Sequence, residues 1–147
     1  MDVVLHLPTE TVWIDVTVVN PQTPSALRSK DAIDARVRAK NAKWSHDATS
    51  RGIRFLPFVI DTFGALSKSA INVLTLVAES AYHITPHVGM TPAVWIGRAR
   101  RRLVERIAIG LAYGNYTMVE EAKLKATRPG LSASWIFARI RMLARRH

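Results

Sequence analysis

The chain has 147 residues, 48% of them hydrophobic, which predicts one globular domain with a hydrophobic core. Its 21 lysines and arginines against 11 acidic residues give a formal net charge of +10. This excess predicts attraction to a polyanion such as DNA or RNA, the alternative being a basic face without such a partner. The absence of cysteine excludes disulfides, thiolate metal sites and a cysteine nucleophile.

The N-terminal segment contains Asp2, Glu10 and Asp15 but no lysine or arginine among its first twenty residues. From that charge pattern we expect this segment to be neither a secretory signal nor a typical transit peptide. No stretch of the chain approaches the roughly 20 consecutive apolar residues that cross a bilayer. We therefore expect no membrane partner.

The first half of the chain predicts a small sheet. Two segments rich in β-branched residues, 2–7 and 12–19, flank the polar turn PTET and predict a hairpin. A helix is expected from about Ser25 to His46. Residues 53–60 form an apolar run typical of a buried strand, in which Pro57 indicates an edge position or a bulge.

The second half predicts helices separated by prolines and a Pro-Gly pair, at about 67–83, 92–112, 116–127 and 132–146. This order predicts the α/β class: a small mixed sheet with flanking helices and a basic helical C-terminal tail. Residues 1–66 would form the sheet-containing core and 67–147 the helical region of one domain.

Two carboxylates stand out as candidate metal ligands. Asp15 lies among strand-forming residues, where burial of a charge is costly without a partner or a metal. Asp2 opens the preceding strand, and a hairpin would bring both to one end of the sheet. Such oxygen ligands suit Mg²⁺. The alternative is a solvated Asp2 and an edge-strand charge at Asp15.

Two lysines of the predicted helix are candidates to assist such a metal. Lys40 falls beside the face formed by Ile33, Val37 and Trp44, and Lys43 flanks it. A lysine near a metal site orients water and offsets charge that develops on phosphate. The alternative is a lysine whose aliphatic stem merely covers apolar surface.

Two arginine clusters are candidate contacts for a nucleic-acid backbone. In the run RARRRLVER, Arg98, Arg102 and Arg106 recur at helical spacing opposite an apolar face, with Arg101 beside them. Guanidinium groups suit phosphate oxygens, although a solvated basic face has the same pattern. The C-terminal segment adds a second cluster, formed by Arg139, Arg141, Arg145 and Arg146.

Longer strings carry a resemblance to a known family. DVVLHLPTETVWIDVTVVNP, KNAKW, GIRFLPFVIDTFGALSKSA and RLVERIAIGLAYGNY resemble the C-terminal domain of non-LTR retrotransposon reverse transcriptase proteins. The likeness spans about residues 2–116, and that domain is similar to PD-(D/E)XK restriction-like endonucleases. It implies a restriction-endonuclease-like core that cleaves DNA with Mg²⁺.

The resemblance also implies roles for particular residues. Asp2 and Asp15 match the family's two metal-binding acids, and Asp61-Thr62 stands where relatives have Glu-Thr, so that Asp61 would be a supporting acid. The family's lysine commonly lies two positions after the second acid, where this chain has Thr17. Lys40 or Lys43 would then take over that role.

One departure from the family bears on activity. The family's core has a helix and a strand before its first aspartate, whereas this sequence starts at Met1-Asp2. A ligand beside a terminus and its α-amino group binds metal poorly. Unless a partner supplies the missing layer, such as the rest of a retroelement polyprotein, we expect weak cleavage or none.

Two functions therefore stand as expectations. The first is a metal-dependent endonuclease-like domain of retroelement origin, active or inactive, which would act in the nucleus. The second is a non-catalytic basic protein of a ribonucleoprotein, such as an organellar ribosome, which would place the chain in mitochondria. Both predict a nucleic-acid partner, and only the first predicts Mg²⁺.

Overall fold

The computed structural model describes residues 1–27, 31–85 and 89–127. In this part of the chain, three strands form one sheet in the order β1-β2-β3: β1 is Val3–His6, β2 is Thr11–Val19 and β3 is Arg54–Asp61. β1 and β2 are antiparallel, and β2 and β3 are parallel. The expected α/β class with a small mixed sheet is confirmed.

The predicted hairpin is formed by β1 and β2. Val3 pairs with Ile14 and His6 with Thr11, and Leu7 N donates to Glu10 O across the turn at 2.9 Å. Successive side chains of a strand alternate between the two faces of its sheet. Val12 and Ile14 are therefore buried on one face, and Asp15 is directed to the other.

β3 is an edge strand of the described sheet, as Pro57 predicts. The pyrrolidine nitrogen has no hydrogen to donate, and an edge position tolerates this. The carbonyl of Pro57 is used, since it accepts a hydrogen bond from Ser69 Oγ at 2.5 Å. In the parallel register Pro57 is aligned with Asp15, and Asp61 with Val19.

Two helices occupy the region where one was predicted from Ser25 to His46: α1 is Pro24–Leu27 and α2 is Ala32–Ser50. Asp31 begins α2 as its N-cap, accepting a hydrogen bond from Asp34 N at 3.1 Å. That bond lowers the pKa of the Asp31 carboxyl, whereas the hydrogen bond between the two side chains raises the pKa of Asp34. α2 ends four residues later than predicted, before Gly52, whose φ is +66°.

The helix predicted at about 67–83 is confirmed within one residue at each end: α3 is Lys68–Ile84. Its N-cap is Ser67, whose hydroxyl accepts a hydrogen bond from Ala70 N at 3.1 Å. α2 and α3 both pack against β3. The buried apolar residues come from β2, β3, α2 and α3 and are Val12, Ile14, Ala48, Phe58, Val59, Ile60, Ala70, Val73, Leu74 and Ala78.

A single long helix, α4, spans Pro92–Thr127, so the expected break between residues 112 and 116 is wrong. Gly114-Asn115 lowers helix propensity by only about 1 kcal/mol, which is too little to end a helix that has no proline there. The chain divides into two compact units, Met1–Ile107 and Ala108–His147. In the first, the rings of Trp95 and Tyr82 are 5.6 Å apart.

The predicted helix 132–146 and the basic tail lie outside the described residues. Over the described ranges, none of the helices combines the length and the apolar character that crossing a bilayer requires.

Candidate functional site

Asp15 and Lys40 form a buried ion pair between the sheet and α2. The Asp15 side chain is 8% exposed and that of Lys40 17%, and Lys40 Nζ contacts Asp15 Oδ2. Lys40 reaches the sheet because it lies on the same side of α2 as Val37 and Trp44, which are also shielded. The predicted packed face of α2 thus carries an ammonium group to the strand carboxylate.

Asp2 lies immediately before β1, whose first residue Val3 pairs with Ile14, so the main chain of Asp2 lies beside the part of β2 that contains Asp15. Asp2 N donates to Ile14 O at 3.2 Å, and Asp2 Oδ2 accepts from Val16 N at 2.7 Å. Asp2 is exposed, so its carboxylate borders solvent while that of Asp15 does not.

The arrangement therefore combines a buried acid–ammonium pair between the sheet and α2 with an exposed acid that is bonded to the main chain of β2 one residue beyond Asp15. We call Asp2, Asp15 and Lys40 the acid–lysine cluster. Oxygen donors of this kind are those that Mg²⁺ prefers, and Mg²⁺ commonly binds one or two carboxylates and keeps several waters. Within residues 1–27, 31–85 and 89–127, no group of three or more His, Asp or Glu side chains is placed to hold a metal.

Lys43, the alternative to Lys40, is not directed to the cluster. It is exposed, and its Nζ lies 4.6 Å from the centre of the Trp44 ring, at the distance of a cation–π contact. Of the two candidate lysines, the structure brings only Lys40 into contact with Asp15.

Asp61 is buried but lies apart from the acid–lysine cluster. It is aligned with Val19, four residues beyond Asp15 along β2, a separation of about 13 Å along a strand. Its Oδ1 accepts hydrogen bonds from Phe63 N and Ala65 N, both at 2.8 Å. The carboxylate therefore stabilises the turn after β3, and its expected role as a supporting acid stays a prediction.

The arginines of the first cluster are exposed on α4, within the first unit. The side chains of Ile96, Leu103 and Val104 are half-buried, whereas Arg98, Arg102 and Arg106 are exposed. This division matches the predicted apolar and basic faces. Arg101 Nε donates to Glu105 Oε1 at 2.9 Å, and Arg98 Nη1 donates to the Met90 sulfur at 3.6 Å. Arg139, Arg141, Arg145 and Arg146 lie outside the described residues.

The sequence reading missed a cavity at the end of β2. It has a volume of about 370 Å³ and is lined by Thr17 of β2, by the methyl groups of Ala32, Ala35 and Ala39, and by Arg36. A signal was present, because alanines recurring at three- and four-residue spacing leave one side of a helix without bulky side chains. We call this space the alanine cavity.

Comparison of the chain with protein-family profiles, with curated proteins and with solved structures finds no match.

Proposed function

We propose that this chain is a metal-dependent, endonuclease-like nucleic-acid-binding domain of retroelement origin. The observation that supports the proposal is the buried Asp15–Lys40 pair, together with the exposed Asp2 carboxylate bonded to Val16 N on the same strand as Asp15. Removing two charges from water costs several kcal/mol for each ion, and well-packed apolar side chains often serve stability as well or better. A buried acid and ammonium beside an exposed acid are thus better explained by chemistry than by folding.

Asp2 and Asp15 would hold the Mg²⁺ ion, since they are the oxygen donors of the cluster. When bound, such an ion supplies neutralisation of phosphate charge and activation of water. Asp15 brings a carboxylate that is already shielded from solvent, where electrostatic interactions are stronger than in water. Asp2 contributes the solvent-facing carboxylate and is oriented by its hydrogen bond from Val16 N.

Lys40 would supply a positive charge from the protein itself, in addition to that of the metal ion. Its ammonium is held by α2 beside Asp15, and a cation that shares the Asp15 carboxylate would leave Lys40 Nζ able to donate to a phosphate oxygen. A donor fixed in a shielded site stabilises charge that develops in the transition state. Thr17 has no such charge, so the ammonium on α2 takes the place of a lysine on β2.

The exposed arginines of α4 would bind the phosphate backbone. We expect Arg102→Gln to lower the slope of log binding constant against log salt concentration by about 1, because one phosphate contact is lost. Binding of a DNA duplex measured over a series of salt concentrations checks this. Arg101→Gln serves as the comparison and should change the slope less, since Glu105 already pairs with Arg101. Equal slopes for wild type and Arg102→Gln would contradict a role of this face.

Nicking of supercoiled plasmid in Mg²⁺ tests the proposed function directly. We expect Asp15→Asn to slow nicking by at least about a hundredfold. Loss of a metal ligand should reduce the rate at least as much as displacement of that ligand by about 1 Å. Binding to DNA should remain within twofold. The matched control is Asp47→Asn, which neutralises an aspartate of α2 that pairs with Arg51 outside the cluster. Equal nicking rates for wild type and Asp15→Asn would refute the proposal.

A scaffold role in a ribonucleoprotein is the second candidate, and one observation favours it. The charge of Asp15 is neutralised by Lys40, and one Asp2 oxygen already accepts a hydrogen bond from Val16 N. Both carboxylates therefore have partners within the protein, as is expected of a structural role that needs no metal. Wild-type protein that binds RNA in a salt-dependent manner but never nicks DNA in Mg²⁺ would favour this scaffold over the nuclease.

A further inference from the structure

The alanine cavity lies at the end of β2, between that strand and the helices that follow it. Its volume of about 370 Å³ falls within the range of small-molecule sites. The turn that closes one side is held by its own hydrogen bonds, because Asn20 O accepts from Thr23 Oγ1 at 3.1 Å and Asn20 Oδ1 accepts from Gln22 N at 2.9 Å. The cavity is open to solvent, with this turn along one side.

The chemistry of the lining combines a mostly apolar floor with one cation. Ala32, Ala35 and Ala39 contribute methyl groups, and Arg36 contributes a guanidinium. Among the described residues, Arg36 makes no ion pair, whereas the charge of Arg38 on the same helix acts on Asp31 and Asp34. A matching ligand has a flat or apolar body and an anionic group.

Two residues that line the cavity lie close to cluster residues along their own elements, although the cluster residues themselves do not line it. Thr17 follows Asp15 by two residues on the same face of β2, a step of about 7 Å along the strand. Arg36 precedes Lys40 by one turn of α2, so the two cations are neighbours on that helix. An anion that contacts Arg36 would therefore lie within about one helical turn of Lys40.

We propose that the alanine cavity holds one unpaired nucleotide of a bound strand, with its base against the alanine methyl groups and its phosphate on Arg36. A base is planar and largely apolar on its faces, and a guanidinium suits phosphate oxygens. The inference rests on the proposed function, because it places that nucleotide beside the phosphodiester on which the acid–lysine cluster would act. It adds a preference for strands with unpaired bases.

Equilibrium binding of a short fluorescein-labelled single strand in EDTA tests this proposal. We expect Ala35→Leu, which fills the cavity, and Arg36→Gln, which removes its cation, each to weaken binding by about tenfold. The matched controls are Ala42→Leu and Arg38→Gln, exposed positions of α2 that do not line the cavity. They should stay within twofold of wild type. Ala35→Leu should weaken the binding of a fully paired duplex less than the binding of the single strand.

Two results would overturn the inference. One is an unchanged affinity for the single strand in both Ala35→Leu and Arg36→Gln. If the leucine disturbs folding, Arg36→Gln alone is decisive. The other is adenosine monophosphate binding more tightly than the strand, which would identify a free nucleotide as the occupant. Because EDTA removes divalent cations, these results are separate from Asp15-dependent nicking. The proposed function and the cavity site can therefore fail independently.

Discussion

Lys40→Met should lower the free energy of unfolding by about 3–5 kcal/mol, because Asp15 would stay buried without its cation. The methionine side chain keeps most of the length and apolar surface of the lysine stem. The decrease in the free energy of unfolding therefore measures the effect of removing the charge. Urea unfolding followed by circular dichroism measures the change, with the dependence on urea concentration fitted for both proteins. A loss below 1 kcal/mol would contradict a closed Asp15–Lys40 pair in solution.

The double variant separates stability from function. Lys40→Met combined with Asp15→Leu removes both charges, and we expect its stability to return to within about 1 kcal/mol of wild type, since an apolar pair often replaces a buried ion pair without loss. Lys43→Met is the control. Its ammonium is exposed over Trp44, so the change should stay within about 0.5 kcal/mol. A double variant that is stable but no longer nicks DNA would show that the pair serves chemistry.

The sheet could be predicted because its signals are local. β-branched runs around a polar turn indicate the hairpin, and a proline in the third apolar run indicates an edge strand. The ends of α2 were harder, since Asp31 and Gly52 set them through a cap and a positive φ. The length of α4 was missed because glycine weakens a helix without ending it.

The candidate site could be predicted only in part. Asp15 is conspicuous in sequence because a carboxylate among strand formers requires a partner. The sequence could not choose between Lys40 and Lys43, since both lie near the packed face of the helix and only the sheet decides which one reaches Asp15. The alanine cavity needs α1, α2 and the end of β2 together, and no local pattern contains all three.

For Asp61, the family resemblance and the local structure point to different roles: a supporting catalytic acid and a turn-forming acid. The segment Asp61-Thr62-Phe63-Gly64 has the composition of a turn in which the aspartate accepts main-chain hydrogen bonds. The structure has this turn, with Gly64 at a φ of +95°. The two roles predict opposite effects of the same substitutions: a turn-forming Asp61 affects the free energy of unfolding, and a catalytic Asp61 affects the nicking rate.

Asp61→Ala should lower the free energy of unfolding by about 3 kcal/mol, since two hydrogen bonds to a charged acceptor are lost and two partly buried N–H groups remain. Asp61→Asn keeps a side-chain oxygen for Phe63 N and Ala65 N, and should cost only about 1 kcal/mol. Chemical unfolding of both variants measures these changes.

Nicking by the folded Asp61 variants then decides between the two roles. If Asp61 only holds the turn, the rate per folded molecule in Mg²⁺ should match wild type in Asp61→Asn, because the acid–lysine cluster lies about 13 Å away along the sheet. A supporting acid would give the reverse result: Asp61→Asn would unfold like wild type and still fail to nick. That second pattern would return Asp61 to the catalytic site and require a metal-binding region larger than Asp2 and Asp15.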